Sequence, residues 1–217
     1  MFFQLWTTNS AGWDKKGADL QCVVCRHIPS PNSNSKLDPT ANPLTRNLIL
    51  IITRADIVNN PPNAYTYLGE PPLMGHKSAS GPHTRFTQFR VPSSQLLAPP
   101  ESGAAVVEQT FAISAAIVGS MCVGIMRAAF EAALAYAKKE TRGGTVKIIE
   151  RQSVADKLID IKTRIDAGRM LTWKAMGTLE NGPGGWESRL EACLESKIWC
   201  GKVVTRSVLD AMEVVGM

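Results

Sequence analysis

Arg142-Gly143-Gly144-Thr145 is the stretch whose residue types point most directly to binding chemistry, and Lys138, Lys139, Lys147 and Arg151 surround it. A glycine-rich turn running into a helix N-terminus offers free backbone N–H groups to an anion, and nearby cations add attraction. The same residues also suit a left-handed helix cap with solvated charges around it, and composition leaves both readings open. Trp6-Thr7-Thr8-Asn9-Ser10 sets hydroxyls and an amide beside a large aromatic. Such a segment could hold a planar ligand by stacking and hydrogen bonding; a capped turn beside a half-buried Trp is the competing reading. Ser114 lies in an apolar helical run, where a hydroxyl ordinarily bonds back to a carbonyl one turn earlier. His76 and His83 flank Ser80-Gly81 without metal-ligand spacing to cysteines or an acidic pair. Cys22 and Cys25 form a C-x-x-C, but Val23 and Val24 between them belong to a strand-like run, and no second pair completes a zinc site. No metal site is expected. Cys22, Cys25, Cys122, Cys193 and Cys200 read as reduced thiols of an intracellular protein. No Ser-His-Asp pattern, Walker loop or G-x-G-x-x-G occurs.

The elements that must carry these residues fall into two halves, with the change near residue 100. Residues 1–100 hold 12 of the 13 prolines. Leu20 to Arg26 reads as a strand, followed by a polar loop from Pro29 to Pro43. Leu48 to Thr53 is a continuous apolar run, expected to be a strand buried on both faces. A loop covers Asn59 to Asn63, and a further strand spans Thr84 to Val91, closed by Pro92. Short strands with long turns predict a small β-sandwich or barrel.

Residues 104–217 hold a single proline, Pro183, and read as three long helices. The first runs from Ala104 to Lys139. The second runs from Lys147 to Glu180, with Val154, Leu158, Ile161 and Ile165 on one face. The third runs from Trp186 to Val215, with Val204, Val208, Ala211 and Val215 as its apolar stripe. Long helices with short connections favour an antiparallel bundle. Gln109 to Met126 carries no charged residue and is long enough to cross a bilayer. Its Ala, Gly and Ser content suits close packing in a bundle, so no membrane span is expected.

Composition closes off several classes. Among 217 residues, 44% are hydrophobic and 20% charged, which excludes a disordered chain and a disulfide-dense miniature. The net charge of +5 is small and dispersed, and aromatics at 6% leave few stacking platforms, so no nucleic-acid partner is expected. The N-terminal Met-Phe-Phe-Gln-Leu-Trp lacks the basic and apolar regions of a signal peptide, and the C-terminal residues are no retention or peroxisomal signal. A cytoplasmic or organellar location is expected.

In order, the segments resemble the acyl-CoA dehydrogenase superfamily, most closely its nitroalkane oxidase branch. The matching stretches are Leu5 to Asp14, Lys16 to Arg26, Leu68 to Pro71, Ser80 to Phe86 and Val91-Pro92. In the helical half they are Ala112 to Gly119, Thr141 to Gly144, Ile148 to Ile161, Trp173 to Ala175 and Asp210 to Met217. The resemblance implies an α+β fold: a middle β-barrel or sandwich domain over 1–100, incomplete at its N-terminus, then a C-terminal up-down helical bundle over 101–217 without its last helix.

It further implies FAD. Trp6 would pack by the isoalloxazine ring, and the Thr8 hydroxyl would face flavin N5, where a donor suits a flavin that takes up electrons. Arg142, Gly143, Gly144 and Gln152 match a segment that reaches a neighbouring subunit's FAD, which favours the anion-site reading. Ser114 matches a serine that orients the catalytic carboxylate. That carboxylate is an Asp or Glu beyond the third helix in the family, so the base is expected to be absent from these residues, as is the N-terminal helical domain. The implied substrate is a small molecule, a nitroalkane or an acyl-CoA, deprotonated at the carbon α to its activating group. The implied assembly is a homo-oligomer, a tetramer in the family. The alternative expectation is a truncated, inactive FAD-binding or oligomerising module.

Overall fold

In a computed structural model of the chain, the described residues are 3–7 (backbone only), 20–28, 46–70, 72, 74–75 and 83–216. The chain divides into two compact units, 1–107 and 108–217.

The first unit contains β1 (Phe3–Thr7), β2 (Leu20–Arg26), β3 (Asn47–Thr53), α1 (Arg54–Asn59), β4 (Tyr65–Gly69), β5 (His83–Phe86) and β6 (Leu96–Ala98). Strands β1-β2-β3-β6 form an antiparallel four-stranded sheet, and β4-β5 a two-stranded one. In the β2–β3 pair, Cys22 opposes Ile51 and Val24 opposes Ile49. Side chains alternate across a strand, so consecutive residues serve opposite faces. Val23, Cys25 and Ile52 pack with Phe86, Tyr65 and Phe89 on one face. Val24 and Ile49 pack with Ala98, Val106 and Val107 on the other. Both faces are therefore covered, as a continuous apolar β3 requires.

The strand expected over Thr84 to Val91 ends at Phe86. Gln88 takes φ +50°, which breaks the extended run, and Phe89 turns back onto Phe86 in an edge-to-face ring contact 5.3 Å between centroids. Sequence periodicity also missed α1. Thr53 and Asp56 form a reciprocal capping box that starts it directly at the end of β3.

The long helix α2 (Gly103–Ala137) begins against the sheet. A Cβ on Gly103 would fall 1.9 Å from the Asn47 carbonyl oxygen, so only glycine lets the helix start there. From Glu108 on it forms the second unit with α3 (Gln152–Asn181) and α4 (Trp186–Val215). The buried positions of α3 are Leu158, Ile161, Ile165, Gly168, Thr172 and Ala175, spaced alternately by three and four. That spacing is a bundle seam. Ion pairs Arg164–Asp210 and Lys174–Glu195 show α3 and α4 running antiparallel. A Cβ on Gly119 would lie 2.2 Å from Ser196 Oγ, and one on Gly168 would lie 3.1 Å from Val123 and 3.2 Å from Cys200. Glycine at these two crossings lets α2 approach both partners closely. By length and composition α2 could cross a membrane. Here Ala112, Ala115, Ala116, Val123, Met126, Ala133 and Ala137 bury one of its faces in the bundle.

Two expectations are corrected. The second helix does not run unbroken from Lys147: a 3-10 turn at Ile148–Glu150 precedes α3, with Arg151 extended between them. The α4 stripe matches the expected one only at Ala211. Val204 and Val208 are half-buried, whereas Ser196, Ser207, Asp210, Ala211 and Val214 are buried. Hydrophobic patterning skips such polar residues, yet each has a hydrogen-bond partner. Ser196 Oγ lies 3.0 Å from Thr172 Oγ1, Ser207 donates to the Val203 carbonyl, and Asp210 accepts from Arg164.

Candidate functional site

The turn between α2 and α3 is the most elaborated of the expected sites. Past Ala137 the backbone tightens, with Lys139 and Glu140 both donating to the Tyr136 carbonyl. Gly144 N–H then closes onto the Thr141 carbonyl at 3.0 Å, with φ +50° at Arg142 and +74° at Gly143. Positive φ at both central residues defines a turn that favours glycine. Gly143 meets this preference and Arg142 does not, so a non-glycine residue is held in a costly conformation. Ile148 N–H bonds to the Glu140 carbonyl at 2.8 Å and locks the base of the loop.

In this structure the Gly144 N–H is held by the Thr141 carbonyl. The Arg142 guanidinium does not point outward. Its carbon stands 5.9 Å from the centre of the Tyr136 ring, and its Nη2 packs against Gly216 at the end of α4. A cation there faces the last carbonyls and the negative end of that helix. Other donors remain. Arg151 reaches across the turn to the Thr141 carbonyl at 3.4 Å. Among the described residues no side chain caps the start of α3, and none lies within 4 Å of where a Cβ on Gly143 would stand. Gln152, the first residue of α3, donates its amide to Asp156 at 2.6 Å. Lys138, Lys139 and Lys147 are exposed nearby in sequence. An uncapped helix start, open space and a set of cations fit the phosphates of a dinucleotide such as FAD in charge and donor type.

Ser114 sits half-buried on α2, and its hydroxyl donates to the Phe111 carbonyl at 2.9 Å. This is the local back-bond expected of a mid-helix serine. Trp6 lies in β1, opposite Cys22 of β2, and only its backbone is described. Thr8, Ser80 and His76 lie outside the described residues.

Sequence reading overlooked Asp210. It is buried on α4, with Arg164 Nη1 2.5 Å from one carboxylate oxygen and Arg206 Nε 2.9 Å from the other. Only the Arg164 contact has hydrogen-bond geometry; the Arg206 contact is an ion pair alone. A lone Asp in an apolar stripe, with an Arg on the neighbouring seam, was the available signal. Asp156, Asp160 and Asp166 are exposed. They are engaged by Gln152, by Arg164, and by Lys162 with Arg169, respectively. Among the described residues no group of three His, Cys, Asp or Glu side chains could hold a metal.

Residues 101–217 match the acyl-CoA dehydrogenase C-terminal domain, and the chain belongs to the acyl-CoA dehydrogenase family. More particularly, it is 52% identical over 215 residues to the nitroalkane oxidase of Fusarium oxysporum, covering 99% of this chain and 48% of that protein. A structure of the flavoprotein nitroalkane oxidase, studied for the roles of an arginine and an aspartate in its reaction, aligns with TM-score 0.89 at 51% identity, over 98% of this chain and 49% of that one. A serine-to-alanine active-site mutant of nitroalkane oxidase, crystallized with 1-nitrohexane, aligns with TM-score 0.88 at 51% identity, over 97% of this chain and 49% of that one. The chain spans about half the length of the curated relatives it matches.

Proposed function

We propose that this chain supplies the β and helical parts of an FAD-dependent oxidoreductase of the nitroalkane oxidase type, working as a homo-oligomer. Identity of 52% to a nitroalkane oxidase, sustained over 99% of the chain, carries the reading. It favours a nitroalkane over an acyl-CoA as substrate. FAD, when bound, supplies an acceptor for the electron pair that leaves the substrate's α-carbon.

The residues of this chain would hold and orient. Trp6 and Thr8 would meet the flavin ring. Gly143, Gly144 and Gln152, with Arg151 beside them, would meet its phosphates, while Arg142 braces the turn against α4. Ser114 is a positioning residue for the carboxylate that takes the α-proton. Its hydroxyl would exchange the Phe111 carbonyl for that carboxylate, a short movement for a rotatable donor.

A second reading, a flavin-binding or self-associating module without turnover, has an observation of its own. The Ser114 hydroxyl bonds to Phe111, and the aspartates of α3 and α4 are engaged by other side chains. One experiment separates the readings. The chain is loaded with FAD and mixed without oxygen with nitroethane, both neutral and already deprotonated. Bleaching of the oxidised flavin supports the oxidoreductase, and flavin that binds but stays oxidised with both forms supports the module. Failure to bind FAD at all overturns the oxidoreductase and leaves only the self-associating form of the module, which sedimentation velocity then tests.

A further inference from the structure

A polar cavity of about 720 Å³ opens in the first unit, between the C-terminal end of α1 and the segment that follows β5. Asn59, Asn63, Thr87, Gln88 and Arg90 line it. Asn60 fixes its walls from both sides. The Asn60 amide donates to the Asp56 carbonyl at 2.8 Å and to the Arg90 carbonyl at 2.9 Å, and its Oδ1 accepts from the Arg90 N–H at 2.8 Å. Thr87 N–H adds a bond to the Ala64 carbonyl at 2.9 Å. The cavity is thus held by the backbone and by Asn60, and a preformed site lowers the ordering cost of binding. Gln88 turns the chain along the rim at φ +50°, a conformation that costs a non-glycine residue energy and that gathers at ligand sites. The remaining polar groups are not spent on the scaffold. Among the described residues, no hydrogen bond or ion pair engages the side chains of Asn59, Asn63, Gln88 or Arg90.

We propose that this cavity binds a small polyhydroxylated anion, a sugar phosphate or sugar acid, with its charged group on Arg90 and its hydroxyls on the three amides. A primary amide both donates and accepts, which matches a hydroxyl that does the same. A guanidinium takes phosphate or carboxylate oxygens in a two-point fork. No Asp or Glu lines the cavity, so Arg90 sets its charge. No aromatic ring lines it either, which disfavours a stacked planar ligand, and Pro61 and Ala64 are too little apolar surface for an acyl chain. The C-terminal end of α1 would oppose an anion, but Asn60 already occupies the Asp56 and Ile57 carbonyls. The volume suits a ligand of this size. None of these residues is among those that would hold FAD, so the site stands apart from the proposed oxidoreductase chemistry.

Nuclear magnetic resonance on the nitrogen-15-labelled chain tests this through the side-chain amide signals of Asn59, Asn63 and Gln88. The probes are glucose 6-phosphate, gluconate, glucose and inorganic phosphate. At least one of the two charged sugars should shift all three signals and saturate, with half-saturation at about 1 mM or below. Glucose and phosphate alone should bind at least about tenfold more weakly, since each offers half of the recognised chemistry. Arg90→Gln keeps the backbone bonds to Asn60 and should weaken the charged sugar by about tenfold or more. Should Arg90→Gln lose the native spectrum, Asn63→Ala replaces it, because the Asn63 side chain has no bond to lose among the described residues; it should weaken the sugar several-fold and leave phosphate unchanged. The proposal is overturned if neither charged sugar shifts these signals at about 10 mM. It is equally overturned if glucose or phosphate binds as well as the charged sugar, or if the variant that keeps its fold binds as the parent does.

Discussion

The Arg142 guanidinium fills the space that a side chain on Gly216 would need: a Cβ built there would fall 2.0 Å from Arg142 Nη2. Gly216 closes α4 with φ +85°, donating its N–H to the carbonyls of Met212 and Glu213. Two segments far apart in sequence are thus joined by one cation over one helix end, and the α2–α3 turn cannot shift without disturbing the end of α4.

Gly216→Ala should therefore do two things. It places an L side chain in the left-handed region, costing about 1–2 kcal/mol, and it expels the guanidinium. At this chain length the melting temperature should fall by roughly 2–8 °C. Arg142→Ala removes the cation without the backbone penalty and should cost less. Thermal unfolding followed by circular dichroism orders the two variants, and equal stability of Gly216→Ala and the parent would refute the contact.

At the waist of the bundle, Gly119 and Ser196 share a space that holds one atom more than a bare backbone. Gly119→Ala should destabilise by about 1–3 kcal/mol through overpacking. Adding Ser196→Ala removes the oxygen 2.2 Å from the new methyl and leaves its other neighbours at 3.3 Å or more. The double variant should be more stable than Gly119→Ala alone, a non-additivity that urea unfolding can measure. Additive losses would mean the helices separate there by another route.

Much of this framework was legible in the sequence. The limits of β2 and α4 follow from a β-branched run and from Gly185 and Gly216 at the ends of a long periodic stretch. The parts that escaped share a cause: they depend on contacts between distant residues. The interior position of Asp210 needs Arg164 from another helix, and the inward set of Arg142 needs Gly216. The early end of β5 depends on Gln88 taking a left-handed conformation, which glutamine rarely signals. Conversely, Ser114 was placed on its helix, but nothing in its local spacing says whether its hydroxyl serves the backbone or a reacting group.

Acid should weaken the first unit through Asp56. Burial pushes its pKa up, but the Thr53 hydroxyl and N–H and the Gln95 amide outweigh this and hold the carboxyl below its usual range. A folded-state pKa below the unfolded value of about 3.9 gives stability that is present above that pH and is lost as pH falls through it. Urea unfolding should show the gap between the parent and Asp56→Asn narrowing from about pH 5 to pH 3. A gap that stays constant would remove Asp56 from the acid response.

The C-x-x-C should be chemically quiet. Cys22 and Cys25 face opposite sides of the sheet, and burial raises both thiols, Cys25 to about 11. The thiolate is the reactive form, so iodoacetamide near neutral pH should label these positions far more slowly in the native chain than after unfolding. Rapid native labelling of Cys25 would show that the strand opens.

The central claim is that this chain holds a flavin and presents it to a nitroalkane. Mixing the FAD-loaded chain with the preformed anion of nitroethane, without oxygen, tests that directly, because the anion needs no base and isolates what these residues contribute. The account predicts that the oxidised-flavin absorbance is lost with the anion, and that Thr8→Val slows the loss by about tenfold to a hundredfold, the effect of one aimed hydrogen bond. A flavin that binds and remains oxidised in excess anion would contradict it.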